Sequence, residues 1–210
     1  MKTGNFLILA LIISASLIGG CTPKAKYERM LKRELARGVR CDSLFMGLYL
    51  GMPQKDFYSK CWELNKTGLI KQGEGNMTVE YKMKNELKHQ AFMNFYPKFE
   101  GGKISEMPVK YKYAGWAPWN KALSSDKLQL DVLSYYEKLY GKGFITVSNK
   151  VMGNAYVKID GNRRITIYKA DDLYVYATFT DLTVKNDTIS SNRPDSIKTS
   201  VSNSEKKANE

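Results

Sequence analysis

Between residues 53 and 184 one succession of patterns occurs twice: a helical stretch with an apolar face, then several short stretches in which apolar and polar residues alternate. Alternation with period two marks strands that bury one side, and recurrence at three and four marks a helix that buries a stripe. Each half must therefore lay its helix against its own strands. In the first half Pro53 suits the first turn of a helix, Phe57, Tyr58, Cys61, Trp62 and Leu64 supply its apolar face, and Gly68 stops it. Three alternating stretches follow, at 77–84, 91–96 and 104–113, with Gly101-Gly102 in the last connection. In the second half Ser124 or Ser125 caps a helix over 126–140, with Leu130, Leu133, Tyr136, Leu139 and Tyr140 turned inward and Gly141 at its end. Strands are predicted at 144–147, 155–159, 164–168 and 173–184, and Asp160-Gly161 marks a tight hairpin. The expected fold is α+β, a domain over 41–184 whose two helix-plus-antiparallel-meander units, about 41–114 and 120–184, share one sheet with the helices on one face. The apolar run 44–50 reads as a strand before the first helix.

Outside the repeat, Met1-Lys2 brings a positive charge and 6–18 is an apolar run of thirteen residues. At about 1.5 Å per residue that run reaches roughly 20 Å, short of the roughly 30 Å hydrocarbon core, so 1–20 reads as a signal peptide. Its ending, Ile18-Gly19-Gly20-Cys21, resembles the bacterial lipobox, which implies that Cys21 is acylated and becomes the first residue of a membrane-anchored protein. Thr22-Pro23-Lys24 carries neither an aspartate after the cysteine nor an acidic run. In lipoprotein sorting both absences imply the periplasmic face of the outer membrane. Residues 21–40 form a basic tether with a helical centre, in which Tyr27, Met30, Leu31 and Leu35 recur among Lys24, Lys26, Arg29, Lys32, Arg33 and Arg37. Two readings of it stand: a helix lying on an anionic membrane surface, and a solvated linker helix. From 185 to 210 Ser, Asn, Thr, Lys and Asp dominate, and the composition is that of a disordered tail.

The chain has 33 basic and 21 acidic side chains, a net charge of +12, and loss of the leader removes only Lys2. That excess favours an anionic partner: a lipid surface, an acidic glycan or an acidic protein. Nucleic acid is not expected, because the chain is exported and shows no nucleic-acid motif. Cys41 and Cys61 allow either a disulfide, closing a loop of about 20 residues and contributing roughly 3 kcal/mol, or two buried thiols. His89 is the only histidine, so a multi-histidine metal site is excluded and no cofactor or metal is expected. Gly73-Glu74-Gly75 reads as a turn, and Asp171-Asp172 as a solvated pair between strands. No catalytic residue stands out. Trp116-Ala117-Pro118-Trp119 lies between the two units, where its indoles either stack on sugar or a partner or fold back into the seam. Tyr111 and Tyr113, with Lys110 and Lys112, would extend that surface if their strand lay at an edge.

The turn Leu50-Gly51-Met52-Pro53-Gln54-Lys55-Asp56-Phe57 resembles the glycine-methionine entry to the first helix of the small outer-membrane lipoproteins that accompany the barrel-assembly machinery. The doubled helix-and-meander order resembles β-lactamase-inhibitor-like domains. The second unit, the tryptophan loop and the tail depart from the small lipoproteins, so their partner does not carry over. The whole chain is most similar to periplasmic lipoproteins without an assigned activity. Asp42-Ser43-Leu44, Asp187-Thr188-Ile189 and Asp195-Ser196-Ile197 resemble an O-glycosylation pattern of exported Gram-negative proteins, which implies Ser43, Thr188 and Ser196 as acceptors. The expected function is a lipid-anchored, non-enzymatic binding or assembly module at the periplasmic face of the outer membrane. A glycan or small-ligand binder using Trp116 and Trp119 is the alternative, and an envelope hydrolase comes third.

Overall fold

The computed structural model describes residues 22–149 and 153–184. In chain order its elements are α1 (Pro23–Ala36), α2 (Gln54–Lys66), β1 (Ile70–Gln72), β2 (Val79–Met83), β3 (Ala91–Phe95), β4 (Lys98–Glu100), β5 (Lys103–Tyr113), α3 (Ser125–Tyr140), β6 (Ile145–Asn149), β7 (Gly153–Asp160), β8 (Arg163–Lys169) and β9 (Val175–Asp181). The strands form one antiparallel sheet in the order β1-β2-β3-β5-β9-β8-β7-β6, with β4 paired to β5 beside this path. Each unit is a helix followed by a meander. The last strand of each meander pairs with the other at the centre, Val109 opposite Ala177, so the two meanders run outward from that seam. The two-unit α+β architecture is the one the alternating patterns predict.

Residues opposite one another across a ladder share a face. Met107, Phe179 and Ile165 form one such row, and Pro108, Thr178, Thr166 and Val157 form a neighbouring row on the reverse face. On the first face α3 lies over β5, β9 and β8, while α2 lies over the β1 edge. The core between them is aromatic: the Tyr136 ring stacks on Phe179 at 5.5 Å, and Phe45 meets Phe95 edge-on at 4.9 Å. Burial of such side chains at about 25 cal/mol per Å² is the main favourable contribution to this layer.

Three expectations are corrected. Residues 44–50 form no strand: Met46 and Gly47 both take positive φ, the chain reverses, and Ser43 bridges Tyr49 while Leu44, Leu48 and Leu50 plug the core. The first meander gains β1 and β4, which have three residues each and are too short to show a period of two. The third correction concerns the basic tether, whose helix is neither a free linker nor solvated all round. Tyr27, Met30 and Leu31 of α1 pack on Ile145, Val157, Ile159 and Leu182 on the reverse face of the sheet, and Tyr27 Oη accepts a hydrogen bond from Arg164 Nη1 at 3.2 Å. The body therefore starts at α1 rather than at Cys41. At the β7–β8 hairpin Gly161 has φ +53° and touches the chain leaving α1; a Cβ there would collide with the Val39 carbonyl. The leader, Cys21 and the tail lie outside the described residues.

Candidate functional site

On α2 only Phe57 is fully buried; Tyr58 and Trp62 remain 48% and 63% exposed. The cause is geometric: this helix covers the edge of the sheet, where β1 is three residues long, so its apolar face is wider than the surface beneath it. Between α2 and β1–β2 runs a groove of about 360 Å³, lined by Tyr58, Cys61, Trp62, Ile70, Met77 and Tyr96. Met77 and Tyr96 are exposed as well. Phe57 supports the floor, edge-on to Tyr96 at 5.8 Å and to Phe99 at 5.9 Å. Tyr58 and Tyr96 share a hydroxyl–hydroxyl bond of 2.8 Å, and Gln54 Nε2 donates to Tyr58 Oη at 3.0 Å. Hydrogen bonds from Tyr96 and then Gln54 draw the Tyr58 phenol below its ordinary pKa, while the same bond pushes Tyr96 up to about 12. This network pins both rings.

Burial pushes the Cys61 thiol up to about 11, so at neutral pH it is protonated and serves as wall, not nucleophile. Lys66 Nζ sits 5.4 Å from the Trp62 ring centroid, and Lys71 pairs with Glu80 at 3.1 Å along the rim. The Ile70 carbonyl is already taken by Asn65 Nδ2 at 3.0 Å. A segment docking here would therefore be held mainly by side-chain contact, and only secondarily by pairing with β1. A second cleft, about 550 Å³, opens between residues 43–46 and α3 and is lined by Phe45, Met93, Tyr135, Leu139, Tyr140 and Arg163. Its one cation is engaged by the fold: Arg163 donates to the Ser43 carbonyl and to Asp160 Oδ2, and lies 4.7 Å from the Tyr140 ring.

The surface expected around Tyr111 and Tyr113 does not exist. β5 is central, paired with β3 and β9, and alternation sends both tyrosines to the covered face at 0% and 2% exposure. There Tyr111 and Tyr136 share a hydroxyl–hydroxyl bond of 3.0 Å, and Tyr113 Oη donates to Asp131 Oδ2 at 2.7 Å. Lys110 and Lys112 point to the reverse face and pair with Glu74. The two indoles of the inter-unit loop separate: Trp116 folds back and donates from Nε1 to the Asp172 carbonyl at 2.9 Å, whereas Trp119 is 85% exposed.

Cys41 and Cys61 are both free. The Cys41 N–H donates to Asn162 Oδ1 at the β7–β8 turn, while Cys61 faces the β1 edge. About five interstrand spacings of roughly 4.8 Å separate those positions, far beyond disulfide reach. Ser43 is exposed; Thr188 and Ser196 lie outside the described residues. His89 is exposed and edge-on to the Tyr113 ring at 5.5 Å. Asp171 closes its own turn by accepting the Leu173 and Tyr174 N–H groups. Among the described residues no three His, Cys, Asp or Glu side chains converge as a metal site.

The groove combines residues that the sequence patterns assign to separate elements. Its one visible signal was the breadth of the α2 apolar face. Comparison with protein-family models, characterised proteins and solved structures returned no match.

Proposed function

We propose that this chain is a lipid-anchored, non-enzymatic binding module of the outer membrane, acylated at Cys21, that receives an apolar segment of an envelope protein in the groove between α2 and β1. The observation that carries this reading is the clustering of Tyr58, Trp62, Met77 and Tyr96, four exposed large apolar side chains, around one concave site. Aromatic and methionine anchors in a pocket are the usual energetic centre of a protein interface. The fixed Tyr58–Tyr96 pair reduces the ordering cost of binding. Lys66, beside the Trp62 ring on the rim, favours a segment bearing an acidic residue.

The test is in-cell photo-crosslinking of the lipidated protein, with the reactive side chain placed at Met77 or, as a control, at Lys138 on α3. A defined envelope protein captured from Met77, and lost when Trp62→Ala is added, supports the reading. Adducts that form equally from Lys138, or that survive Trp62→Ala, overturn it. The anchor has its own test: Cys21→Ala should leave an unprocessed precursor or a soluble protein, and unchanged membrane retention refutes acylation. Glycan binding is the second reading, favoured by the single observation that Trp119 is almost fully exposed. A shift of tryptophan fluorescence on adding polysaccharide fragments, abolished by Trp119→Phe, would support it.

A further inference from the structure

In α1 the side chains at 27, 30, 31 and 34 point to the sheet, and at about 100° per residue those at 25, 26, 28, 29, 32, 33 and 36 occupy the opposite side. That outer side reads Ala25, Lys26, Glu28, Arg29, Lys32, Arg33 and Ala36: four cations, two small residues and one acid, a net charge of +3. All four cations are exposed. Arg33 pairs with Glu34, while Lys26 and Lys32 have no ion-pair partner among the described residues. Of the two acidic side chains of the helix, Glu34 is buried against the Gly161 N–H, and Glu28, on the border of the stripe, is paired with Lys24 at 3.9 Å. The stripe is rigid, because α1 is fixed to the sheet through Met30, Tyr27 and Arg164.

The helix begins at Pro23, capped by the Thr22 hydroxyl, which accepts from the Ala25 N–H at 3.2 Å. Cys21 is two residues away, a covalent reach of about 7 Å at most. An acyl anchor at Cys21 would therefore hold the first turn of α1 at the headgroup layer. We infer that the outer side of α1 is a membrane-docking face for anionic phospholipid, one that fixes how the domain stands on the bilayer. This rests on the acylation reading for its proximity, not for its charge. The orientation follows from the fold: α1 occupies the reverse face of the sheet over β6 and β7, whereas the α2 groove lies on the covered face at the far edge, β1. Contact through α1 turns that groove away from the lipid and toward the periplasmic space.

The experiment uses the leaderless chain from residue 21 with Cys21→Ser, which removes any acyl contribution, and phosphatidylcholine vesicles with or without about one third phosphatidylglycerol. Co-sedimentation is measured for this protein, for Lys26→Gln/Arg29→Gln/Lys32→Gln, and for Lys55→Gln/Lys127→Gln/Lys138→Gln, which makes the same charge change on α2 and α3. Circular dichroism confirms that each variant is folded. A surface cation contributes about fivefold to binding of an anionic bilayer, so the α1 triple variant should bind roughly 100-fold more weakly, and added salt should weaken the parent protein. The α2/α3 control should stay within a few-fold of the parent. Equal losses in the two triple variants would mean diffuse attraction by net charge and would overturn the proposal. So would absence of parent binding to the phosphatidylglycerol vesicles at low salt, or binding to a soluble polyanion such as heparin without binding to those vesicles. Because no acylated protein enters this experiment, its failure leaves the Cys21 and groove tests unaffected.

Discussion

Replacing Tyr136 by Phe removes one oxygen from the centre of the core and little else. The ring is 1% exposed and keeps its stack on Phe179 at 5.5 Å and its contact with Tyr140 at 5.3 Å. What changes is Tyr111, fully buried, whose hydroxyl has the Tyr136 hydroxyl at 3.0 Å as its one hydrogen-bond partner among the described residues. A buried hydroxyl left without a partner costs about 1–3 kcal/mol, so Tyr136→Phe should destabilise by about 2 kcal/mol and lower Tm by roughly 4–8 °C. Tyr111→Phe strands the Tyr136 hydroxyl and should cost a similar amount. The double variant has no stranded group and loses only the net value of one hydrogen bond, about 1 kcal/mol, well short of the roughly 4 kcal/mol sum. Urea unfolding at pH 7, followed by tryptophan fluorescence, gives each ΔΔG from the shift in midpoint at constant slope. Additive single effects, or a double variant worse than either single, would refute the claim that the two hydroxyls satisfy each other.

Phe57→Ala should cost about 3–5 kcal/mol, because this side chain is 1% exposed and carries the contacts to Tyr96 and Phe99 beneath the groove; a loss under 1 kcal/mol in the same urea assay would mean that the groove floor is not rigid. Burial raises the phenols of Tyr111 and Tyr136 well above their ordinary value, so the native state keeps both protons while the unfolded chain loses its own above about pH 10. Their contribution is complete below pH 10 and is lost as pH rises, by up to about 1.4 kcal/mol per tyrosine per pH unit, so the urea midpoint should fall steeply between pH 10 and 11 and a flat profile there would contradict their burial. With its thiol pushed up to about 11, Cys61 should react with iodoacetamide at pH 8 roughly 200-fold more slowly than an exposed cysteine of ordinary pKa, measured by peptide mass spectrometry; labelling at the ordinary rate would show that the groove wall opens.

Much of the fold was legible because its elements carry strong periods. Alternation at β2, β5, β8 and β9 and the apolar face of α3 each reflect a half-buried element, and they mark both units and their order. The short strands β1 and β4 lack the length to show a period, and residues 44–50 are apolar because they plug the core from a reversed turn, which sequence alone does not distinguish from a strand. The candidate site was read less well for the same reason. Period two states that Tyr111 and Tyr113 lie on the face opposite Lys110 and Lys112, but not which face α3 covers; that depends on β5 pairing with β9 across more than 60 residues of chain. Local pattern thus determined the longer strands, the helices, their order and the two-unit α+β class, since each period is set by the backbone of its own segment. Tertiary structure alone decided that the tyrosines are buried, that Cys41 and Cys61 stay apart, that α1 docks on the reverse face, and that α2 overhangs an edge too short to cover its aromatic side chains. Those outcomes depend on contacts between segments distant in sequence, and no local period encodes them.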